Sequence, residues 1–450
     1  MTSQQGRGSV MFVAPSAYVL GGLGTWLDYM EPGLRALGWE VLMGLVEGPR
    51  HHRPQRYLAK HSHVNWHAIA CTTGTQEGRL RAVERAINEF APDLVATVNL
   101  PDALLGAARA RRRGRPDLKI AMTVHGIQPD LYDDIRAHRG WLDRVFCTNR
   151  LACRLATAFG GVDAARVSHV PYGVDYAGPV LRHSGREPLR IAFVGRLEQD
   201  QKRIFDLSPI LVELDACGIA YELLIAGSGP DEAALRAALA EPLATGKVRL
   251  LGFLSPTELR QQVLERVDAL LLTSSWETGP IVIWEAMASG VAVVSSRYIG
   301  SGLEAALRHD ENALLFPIGD CREAAAQLRR LSQAPALGNR LRAAAFRLIE
   351  TRYSIPVSVA NWDRHLRALR EQPALSATPS IKAQPAPGRL DRWLGTGLAE
   401  QLRARLGPTG PDGGPGGEWP HSHGTTDYWD PEFWALAKTL DHPAVERSPP

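Results

Sequence analysis

The sequence has little of what marks secreted, membrane-spanning or nucleic-acid-binding proteins. Its 450 residues carry five scattered cysteines without a Cys-x-x-Cys pair, which argues against a disulfide framework: Cys71, Cys147, Cys153, Cys217 and Cys321. The formal net charge of +3 is too weak for a dedicated nucleic-acid binder. No apolar run is long enough to span a bilayer, and residues 1–10 lack an apolar signal core. We therefore expect a reduced, cytoplasmic protein without a nucleic-acid partner.

The hydrophobic content of 45% and the charged content of 22% are those of an ordinary globular protein large enough for two domains. Strand patterns alternate with helix patterns from Val10 onwards, and a second alternation begins at Leu189. Such alternation predicts an α/β protein with two parallel-sheet domains. The unpatterned Gly- and Pro-containing stretch 176–188 is the expected linker.

The most informative stretch is residues 273–296, which follows an apolar strand pattern and precedes another. Glu277 and Glu285 stand eight positions apart in it, with Gly279 and Pro280 between them. Glu277 is expected at the carboxyl end of a buried parallel strand, where open α/β sheets place their ligands. Pro280 is expected in the first turn of a helix, and Gly279 lets the backbone approach a ligand closely.

These residue types predict how such a ligand would be held. Carboxylates accept hydrogen bonds from hydroxyl groups, as acidic residues do on nucleotide ribose. The helix N-terminus between the glutamates offers N–H groups and a positive dipole end to a phosphate. A polyhydroxylated ligand that bears phosphate satisfies both features. The alternative is an ordinary strand–helix unit with two solvated glutamates.

Cations and glycines follow other predicted strands. Strand 189–194 leads into Gly195 and Arg196, with Lys202 six residues further on, and two cations there suit a diphosphate. Gly21, Gly22 and Gly24 separate strand 10–14 from a helix pattern at 25–37, where free N–H groups can meet a phosphate or sugar. Surface charge and a tight turn are the respective alternatives.

The residues do not favour a metal site. His63 and His67 have helical ligand spacing, but residues 64–70 predict a strand, which breaks that geometry. Asp133 and Asp134 lack the spacing of an Asp-x-Asp motif and are interpreted as surface or acceptor-loop charges. The arginine cluster 109–115 reads as a solvated helix end, with attraction to an anionic membrane surface as the alternative.

Several motifs, in order and at matching spacing over roughly residues 10–370, resemble those of retaining glycosyltransferases of the GT-B fold, group 1 / family 4 type. They are the E-x7-E signature of Glu277 and Glu285 with the EAMASG segment, the Gly195-Arg196-Leu197…Lys202 motif, His125-Gly126 after strand 119–124, and Pro171-Tyr172-Gly173-Val174-Asp175. The family commonly reads Glu-Gly-Phe-Gly or Glu-Gly-Phe-Pro where this chain has Glu277-Thr278-Gly279-Pro280, so the donor sugar is open.

The resemblance implies two Rossmann-like domains facing each other across a cleft. Residues 1–180 would form the acceptor domain and 187–352 the donor domain. Residues 353–371 would be a helix crossing back, and 372–450 a Pro/Gly-rich tail. The implied reaction moves a sugar from a nucleotide-diphosphate sugar (UDP, GDP or ADP) to a saccharide, lipid or small-molecule acceptor, with retention, without a metal or other cofactor, in carbohydrate biosynthesis. Two rivals remain: a sugar-nucleotide 2-epimerase and a non-catalytic nucleotide-sugar-binding protein.

The resemblance also assigns roles to residues. Arg196 and Lys202 would stabilise the leaving diphosphate, Glu277 would hold the sugar hydroxyls, Glu285 the ribose, and His125 would contact the sugar. The remaining donor-binding residues are implied by backbone position: Gly21, Gly22, Gly24, Gly195, Gly227, Phe253, Leu254, Gly279, Pro280 and Ile281.

The tail beyond residue 371 lies outside the resemblance. Residues 390–406 predict an amphipathic helix with one apolar side, formed by Leu390, Trp393, Leu394, Leu398, Leu402 and Leu406. We expect this helix to dock on the protein's own surface in preference to a membrane or a partner. The aromatic residues Trp419, Tyr428, Trp429, Phe433 and Trp434 also suggest docking, at a place that the sequence does not give.

Overall fold

A computed structural model describes residues 8–16, 21–48, 52–59, 61–178, 187–375, 389–406 and 418–442. The chain forms two compact units, taken one at a time below. The first unit comprises the described residues within 1–148, 152–170 and 359–431, and the second those within 149–151, 171–358 and 432–450. Most of the predicted linker, residues 179–186, lies outside the described residues.

The first unit is built on a seven-stranded parallel sheet in the order β3-β2-β1-β4-β5-β6-β7. Strands rich in Val, Ile and Leu are buried along their length, as expected of a parallel sheet covered on both faces. The strands are β1 (Ser9–Pro15), β2 (Glu40–Glu47), β3 (Trp66–Ala70), β4 (Leu94–Val98), β5 (Lys119–Val124), β6 (Arg144–Cys147) and β7 (Val167–His169).

The second unit is built on a six-stranded parallel sheet in the order β10-β9-β8-β11-β12-β13. Its strands are β8 (Leu189–Val194), β9 (Tyr221–Ala226), β10 (Val248–Gly252), β11 (Ala269–Leu272), β12 (Ala292–Ser296) and β13 (Leu314–Phe316). The predicted fold class, α/β with two Rossmann-like parallel sheets, is confirmed.

Helices connect the strands and follow the sheets. Those of the first unit are α1 (Gly21–Ala36), α2 (Pro54–Leu58), α3 (Gln76–Phe90), α4 (Pro101–Arg113), α5 (Pro129–His138) and α6 (Arg150–Ala158). Those of the second are α7 (Gln199–Lys202), α8 (Leu207–Ala216), α9 (Glu232–Ala238), α10 (Ala240–Ala244), α11 (Pro256–Leu259), α12 (Ile281–Ala288), α13 (Cys321–Gln333) and α14 (Pro335–Leu348). The last three are α15 (Ile355–Glu371), α16 (Arg389–Leu406) and α17 (Pro431–Asp441).

Helix α15 changes unit along its length, because residues 355–358 belong to the second unit and residues 359–371 to the first. Trp362 in the latter part is fully buried, with its ring 4.7 Å from that of Phe146 and 5.2 Å from that of Trp26. The Trp39 indole N–H donates to Asp363 at 2.8 Å. This end of α15 is therefore part of the core of the first unit.

The strand order reverses at one place in each sheet. In the second unit β8 pairs with β9 on one side and β11 on the other. The strands that follow β9 and β11 in the chain, β10 and β12, are added toward opposite ends of the sheet. Open α/β sheets form a ligand crevice at the carboxyl ends of such strands. Residues that follow β8 and β11 therefore share one edge of the sheet.

The aromatic tail docks in two places. Residues 418–430 lie on the first unit, where the indole N–H of the buried Trp419 donates to the Glu47 carbonyl at 3.0 Å. Phe433 and Trp434, in α17 of the second unit, are also buried. Tyr428 and Trp429 stay exposed, so the predicted docking applies to three of the five aromatic residues.

The interpretation of Asp133 and Asp134 as surface or loop charges is wrong. Both lie in α5 and are buried. The N–H groups of Thr425 and Thr426 donate to Asp133, at 3.1 and 2.7 Å, and the Ser422 hydroxyl donates to Asp134 at 2.7 Å. The tail covers these carboxylates, and a partner about 290 residues away in sequence leaves no local signal.

Candidate functional site

Lys202 and Glu277, which the sequence placed on separate loops, form an ion pair in the second unit. Lys202 ends α7, which follows β8, and Glu277 follows β11. The Ser274 hydroxyl donates to the Glu277 carboxylate at 2.7 Å, and the Gln201 amide donates to its other oxygen at 3.3 Å. With both side chains largely buried, this arrangement fixes an ammonium beside a carboxylate at the switch point of the sheet.

Backbone hydrogen bonds hold the loops that carry this pair. The Ser275 N–H donates to the Gln201 carbonyl at 2.7 Å, and the Thr273 hydroxyl donates to the Lys202 carbonyl at 2.6 Å. The Glu277 N–H donates to the Ile299 carbonyl, beyond β12, at 3.0 Å. The loops after β8, β11 and β12 thus form one connected structure, so the ion pair is preorganised.

Arg196 lies six residues before Lys202 in the sequence, but its side chain is not buried as those of the pair are. It is exposed, and among the described residues its guanidinium has no ion-pair or hydrogen-bond partner. A guanidinium presents five N–H donors in a fork that matches phosphate oxygens. Arg196 is therefore a donor group free to take an anionic ligand.

Glycine lets two loops touch at the end of β8. Gly227 adopts φ 141°, and a Cβ placed on it would lie 1.8 Å from the Gly195 carbonyl oxygen. The Gly195 N–H donates to the Ala226 carbonyl at 3.0 Å. A side chain at Gly227 would force the loops apart, which explains why glycine stands there. The role of these glycines in donor binding stays a prediction.

Helix α12 begins one residue later than predicted. Pro280 occupies the N-cap position with φ −65° and ψ 108°, and the helix starts at Ile281. Pro280 makes no side-chain cap, and it carries no N–H group. Gly279 before it adopts φ 107°, a conformation that side chains disfavour. The Ile283 N–H donates to the Pro280 carbonyl at 2.9 Å, which leaves the Ile281 and Val282 N–H groups at the helix N-terminus for a ligand.

Glu285 lies on α12, one turn beyond its start, and is half-buried. Burial raises the pKa of its carboxyl group to about 7. Among the described residues nothing donates a hydrogen bond to this carboxylate. The neighbouring Trp284 stacks on Tyr353, with ring centroids 3.9 Å apart, which fixes the helix. A desolvated carboxylate without a donor is suited to accept hydrogen bonds from ligand hydroxyl groups.

Phe253 and Leu254 follow β10, at the edge of the same sheet. Phe253 is 70% exposed, which is unusual for a large aromatic side chain and leaves a ring face open to stacking. The Gly252 carbonyl accepts from the Gly227 N–H at 2.8 Å, linking this edge to the loop after β9. The predicted backbone contact with a nucleotide base stays a prediction. Ser255 and Glu258 form the predicted capping box of α11.

In the first unit, His125 follows β5. Its ring nitrogen hydrogen-bonds the Thr123 hydroxyl at 2.9 Å, and its ring centroid lies 5.2 Å from that of Trp26. Burial lowers the pKa of this imidazole to about 3, so it is neutral at physiological pH. A neutral imidazole has one donor nitrogen, one acceptor nitrogen and no charge, and one of the two nitrogens is engaged by Thr123.

The glycine-rich segment after β1 is not the loop that the sequence predicts. Gly21, Gly22 and Gly24 lie in the first turn of α1, which begins four residues before the predicted start at Thr25. Glycine is tolerated there because the first turn needs no internal N–H partners. Donor binding by these glycines stays a prediction.

The arginine cluster near the end of α4 is engaged within the first unit. Arg109 pairs with Glu77 at 2.6 Å, Arg111 with the buried Asp143 at 2.6 Å, and Arg113 with Glu84 at 3.2 Å. The interpretation as a solvated helix end is therefore wrong for Arg109 and Arg111, which are largely buried, and holds for the exposed Arg112 and Arg113.

Ser274 and Gln201 were missed by sequence reasoning, although Gln201 stands next to Lys202 and Ser274 three residues before Glu277. Asp441 was missed too: its buried carboxylate accepts from the N–H groups of Gly300, Gly302 and Leu303 at 2.8, 3.2 and 2.9 Å. Adjacency to Lys202 was a usable signal for Gln201. No sequence signal links Asp441 to a loop about 140 residues away.

The described ranges contain no group of three or more His, Cys, Asp and Glu side chains placed to hold a metal ion. None of their helices combines the length and the apolar character needed to cross a bilayer.

Family models match both halves of the chain. Residues 188–334 match the model of glycosyl transferases group 1, and residues 20–177 match that of glycosyltransferase family 4. Among curated relatives, the amylovoran biosynthesis glycosyltransferase AmsK of Erwinia amylovora is 29% identical, over 48% of this chain and 56% of its own length. The lipopolysaccharide 1,6-galactosyltransferase of Escherichia coli is 27% identical, over 54% of this chain and 66% of its own. The chain thus spans 56% of the length of the first relative and 66% of the length of the second.

Solved structures share the fold. The apo lipopolysaccharide outer core galactosyltransferase WaaB has a TM-score of 0.62 at 20% identity, covering 80% of this chain and 99% of its own. The Anabaena protein HepE, in complex with UDP, has a TM-score of 0.65 at 16% identity, covering 80% of this chain and all (100%) of its own. At such identities these likenesses concern the fold alone.

Proposed function

Because the chain belongs to the glycosyltransferases of the group 1 / family 4 type, we propose that it transfers a hexose from a nucleotide-diphosphate sugar to an acceptor. The observation that carries the proposal is the Lys202–Glu277 pair at the switch point of the second sheet. Arg196, six residues before Lys202, has no ion-pair partner among the described residues. Residues 187–352 would be the donor domain and residues 1–180 the acceptor domain.

The cations would stabilise the leaving diphosphate. When the bond between the sugar's anomeric carbon and the phosphate oxygen breaks, negative charge accumulates on that oxygen, and a preorganised cation lowers the barrier most there. Lys202 carries three N–H donors, so it can keep Glu277 and still bind a phosphate oxygen. Arg196 would take two oxygens at once.

The acidic residues would hold hydroxyl groups. Glu277 is fixed by Lys202, Ser274 and Gln201, which leaves lone pairs for the donor sugar's hydroxyls. Glu285, without a donor among the described residues, would accept from the ribose. The backbone from Gly279 to Ile281 would add N–H groups at the start of α12.

We further propose retention of the anomeric configuration. The bond from the anomeric carbon to the acceptor oxygen would form on the face that the diphosphate leaves, and a phosphate oxygen would accept the acceptor's proton. Lys202 and Arg196 would supply positive charge that other transferases take from a metal ion. The contact of His125 with the donor sugar belongs to this proposal.

The curated relatives suggest the setting. Their names concern amylovoran, colanic acid and lipopolysaccharide, which are bacterial polysaccharides and glycolipids. HepE is described in complex with UDP and with UDP-glucose. Both support carbohydrate biosynthesis with a saccharide-bearing acceptor, in the cytoplasm where nucleotide sugars are made, and they make UDP the first base to test.

A panel of UDP-, GDP- and ADP-sugars tests this function. For each sugar, thermal stabilisation of the protein and slow release of free nucleoside diphosphate would be measured. We expect a single base to give both stabilisation and release. The release should be slow because water substitutes inefficiently for the acceptor in a preorganised donor site.

The same panel separates the rivals. Conversion of the sugar nucleotide to its 2-epimer, at a rate that added acceptor does not change, would favour an epimerase. Stabilisation without release, even with glycan acceptors added, would favour a binding protein. If no sugar nucleotide of the panel gave stabilisation or release, the proposed function would be contradicted.

A further inference from the structure

Helix α16 docks on the first unit through its small and charged positions. Asp391, Ala399, Glu400 and Arg403 are buried. Glu400 accepts hydrogen bonds from the hydroxyls of Thr73 and Thr75, the latter at 2.8 Å. The prediction of docking on the protein's own surface is therefore right for the helix, but the apolar side is not the side that docks.

The apolar side of α16 faces outward. Trp393 is 88% exposed and Leu398 is 58% exposed. Leu390, Leu394 and Leu402 are exposed as well, so this helix holds five of the eleven large exposed hydrophobic residues in the described part of the chain. The helix bends at Gly395, and both segments leave apolar residues outside. The side chain of Leu406 lies outside the described set.

The charged residues of α16 are also divided between a buried and an exposed side. Its two acidic residues, Asp391 and Glu400, are buried, and Arg403 forms ion pairs with both. Its other cations, Arg389, Arg392 and Arg405, are exposed and make no ion pair with any residue in the described ranges. The outward side of the helix therefore combines apolar residues with positive charge and carries no exposed acid.

This combination identifies an occupant. A helix that buries an apolar side about 5–10 Å into the headgroup boundary, with arginines at the phosphates, lies in the plane of a membrane surface. Trp favours that boundary because its ring is apolar and its N–H is polar. Each Arg near an anionic surface strengthens binding electrostatically. A protein partner with acidic side chains could pair with the three arginines. The long exposed apolar side of the helix, however, favours a membrane over such a partner.

We infer that the outer side of α16 docks this protein on an anionic phospholipid bilayer. Trp393, Leu398 and the neighbouring leucines enter the boundary between headgroups and acyl chains, and Arg389, Arg392 and Arg405 contact lipid phosphates. The first unit thereby becomes peripheral to the membrane, held by a helix that belongs to the tail and not to the matched family regions. The inference is independent of the proposed transferase activity.

Vesicle flotation of the full chain tests it. Vesicles of phosphatidylcholine alone would be compared with vesicles that contain about one third phosphatidylglycerol, at low and high salt. We expect binding to the anionic vesicles that weakens with salt. The double variant Trp393→Glu, Leu398→Glu should lower the partition coefficient about tenfold or more, because it removes apolar burial. The matched control is Val212→Glu, a change at an apolar residue that is 64% exposed on α8 of the second unit.

A charge variant separates the two contributions. Arg389→Gln, Arg392→Gln and Arg405→Gln together should lower binding to anionic vesicles and leave the weak binding to neutral vesicles unchanged. Equal flotation of wild type and both variants would overturn the inference. So would a wild-type dimer, detected by light scattering, that Trp393→Glu dissociates while vesicle binding is absent, because the covering surface would then be a second copy.

Discussion

Glu285 is a single carboxyl group whose titration should be visible in donor binding. Its pKa is raised to about 7 by burial, and ribose hydroxyls donate more strongly to the ionised carboxylate than to the neutral acid. Protonation therefore weakens the acceptor as the pH falls through 7. We expect the affinity for the nucleotide-diphosphate sugar selected by the panel, whose phosphates do not titrate in this range, to fall about tenfold from pH 8 to pH 6.

The variant Glu285→Gln is the control for this pH dependence. Its amide does not titrate, so its affinity at pH 8 should be below that of the wild type and nearly constant down to pH 6. Titration calorimetry measures both. If the wild type and Glu285→Gln lost affinity in parallel, another group would be responsible and the ribose assignment would fail.

Gly227 gives a second prediction at the scale of one residue. A Cβ there would meet the Gly195 carbonyl oxygen at 1.8 Å, and φ 141° is itself unfavourable for a side chain. Gly227→Ala should displace the loop after β8 and lower donor affinity. Gly246→Ala is a matched control, because Gly246 also has positive φ (79°) but no atom lies within 4 Å of an added Cβ. Similar affinity losses in both variants would show that backbone strain, and not the close approach, is responsible.

At the scale of elements, α17 holds the loop after β12 in place, a contact called the clamp below. The Asp441 carboxylate accepts three backbone N–H groups, and Trp434 lies against Trp276, the residue before Glu277, with centroids 4.8 Å apart. Asp441→Ala leaves those buried N–H groups without an acceptor. We expect the second unit to lose about 3 kcal/mol of unfolding free energy.

Denaturant unfolding of Asp441→Ala measures this loss. The control is Asp427→Ala, another tail carboxylate, which is exposed and accepts one backbone N–H. That variant should stay within about 0.5 kcal/mol of the wild type. An unfolding midpoint of Asp441→Ala equal to that of Asp427→Ala would contradict the clamp.

Elements with local signals could be predicted from the sequence. Strands β5 and β8 have the predicted limits because largely apolar runs bounded by Gly or polar residues define a buried parallel strand. Helix starts were less predictable: α1 begins at Gly21 and α12 at Ile281, since glycine and proline near an N-terminus are compatible with more than one starting point. For α16 the apolar pattern predicted the helix but not which side docks.

At the scale of the whole molecule, the alternation of strands and helices and the order of motifs were enough to predict both parallel sheets. They also predicted Lys202 and Glu277 as site residues, and the sheet order brings the loops that carry them together. The tail was beyond this reasoning. Its contacts, such as Trp419 with Glu47, join residues more than 370 positions apart, and no periodicity encodes such a pairing.

The most direct test of the central claim is the rate of nucleoside diphosphate release at saturating donor in Lys202→Ala. Lys247→Ala is the matched control, because Lys247 also pairs with a carboxylate, Asp215 at 2.7 Å, but on the surface of the same unit. The account predicts a loss of about a hundredfold or more in Lys202→Ala, since a cation on the leaving group is removed, and an unchanged rate in Lys247→Ala. Equal rates in the two variants would contradict a donor site at Lys202 and Glu277.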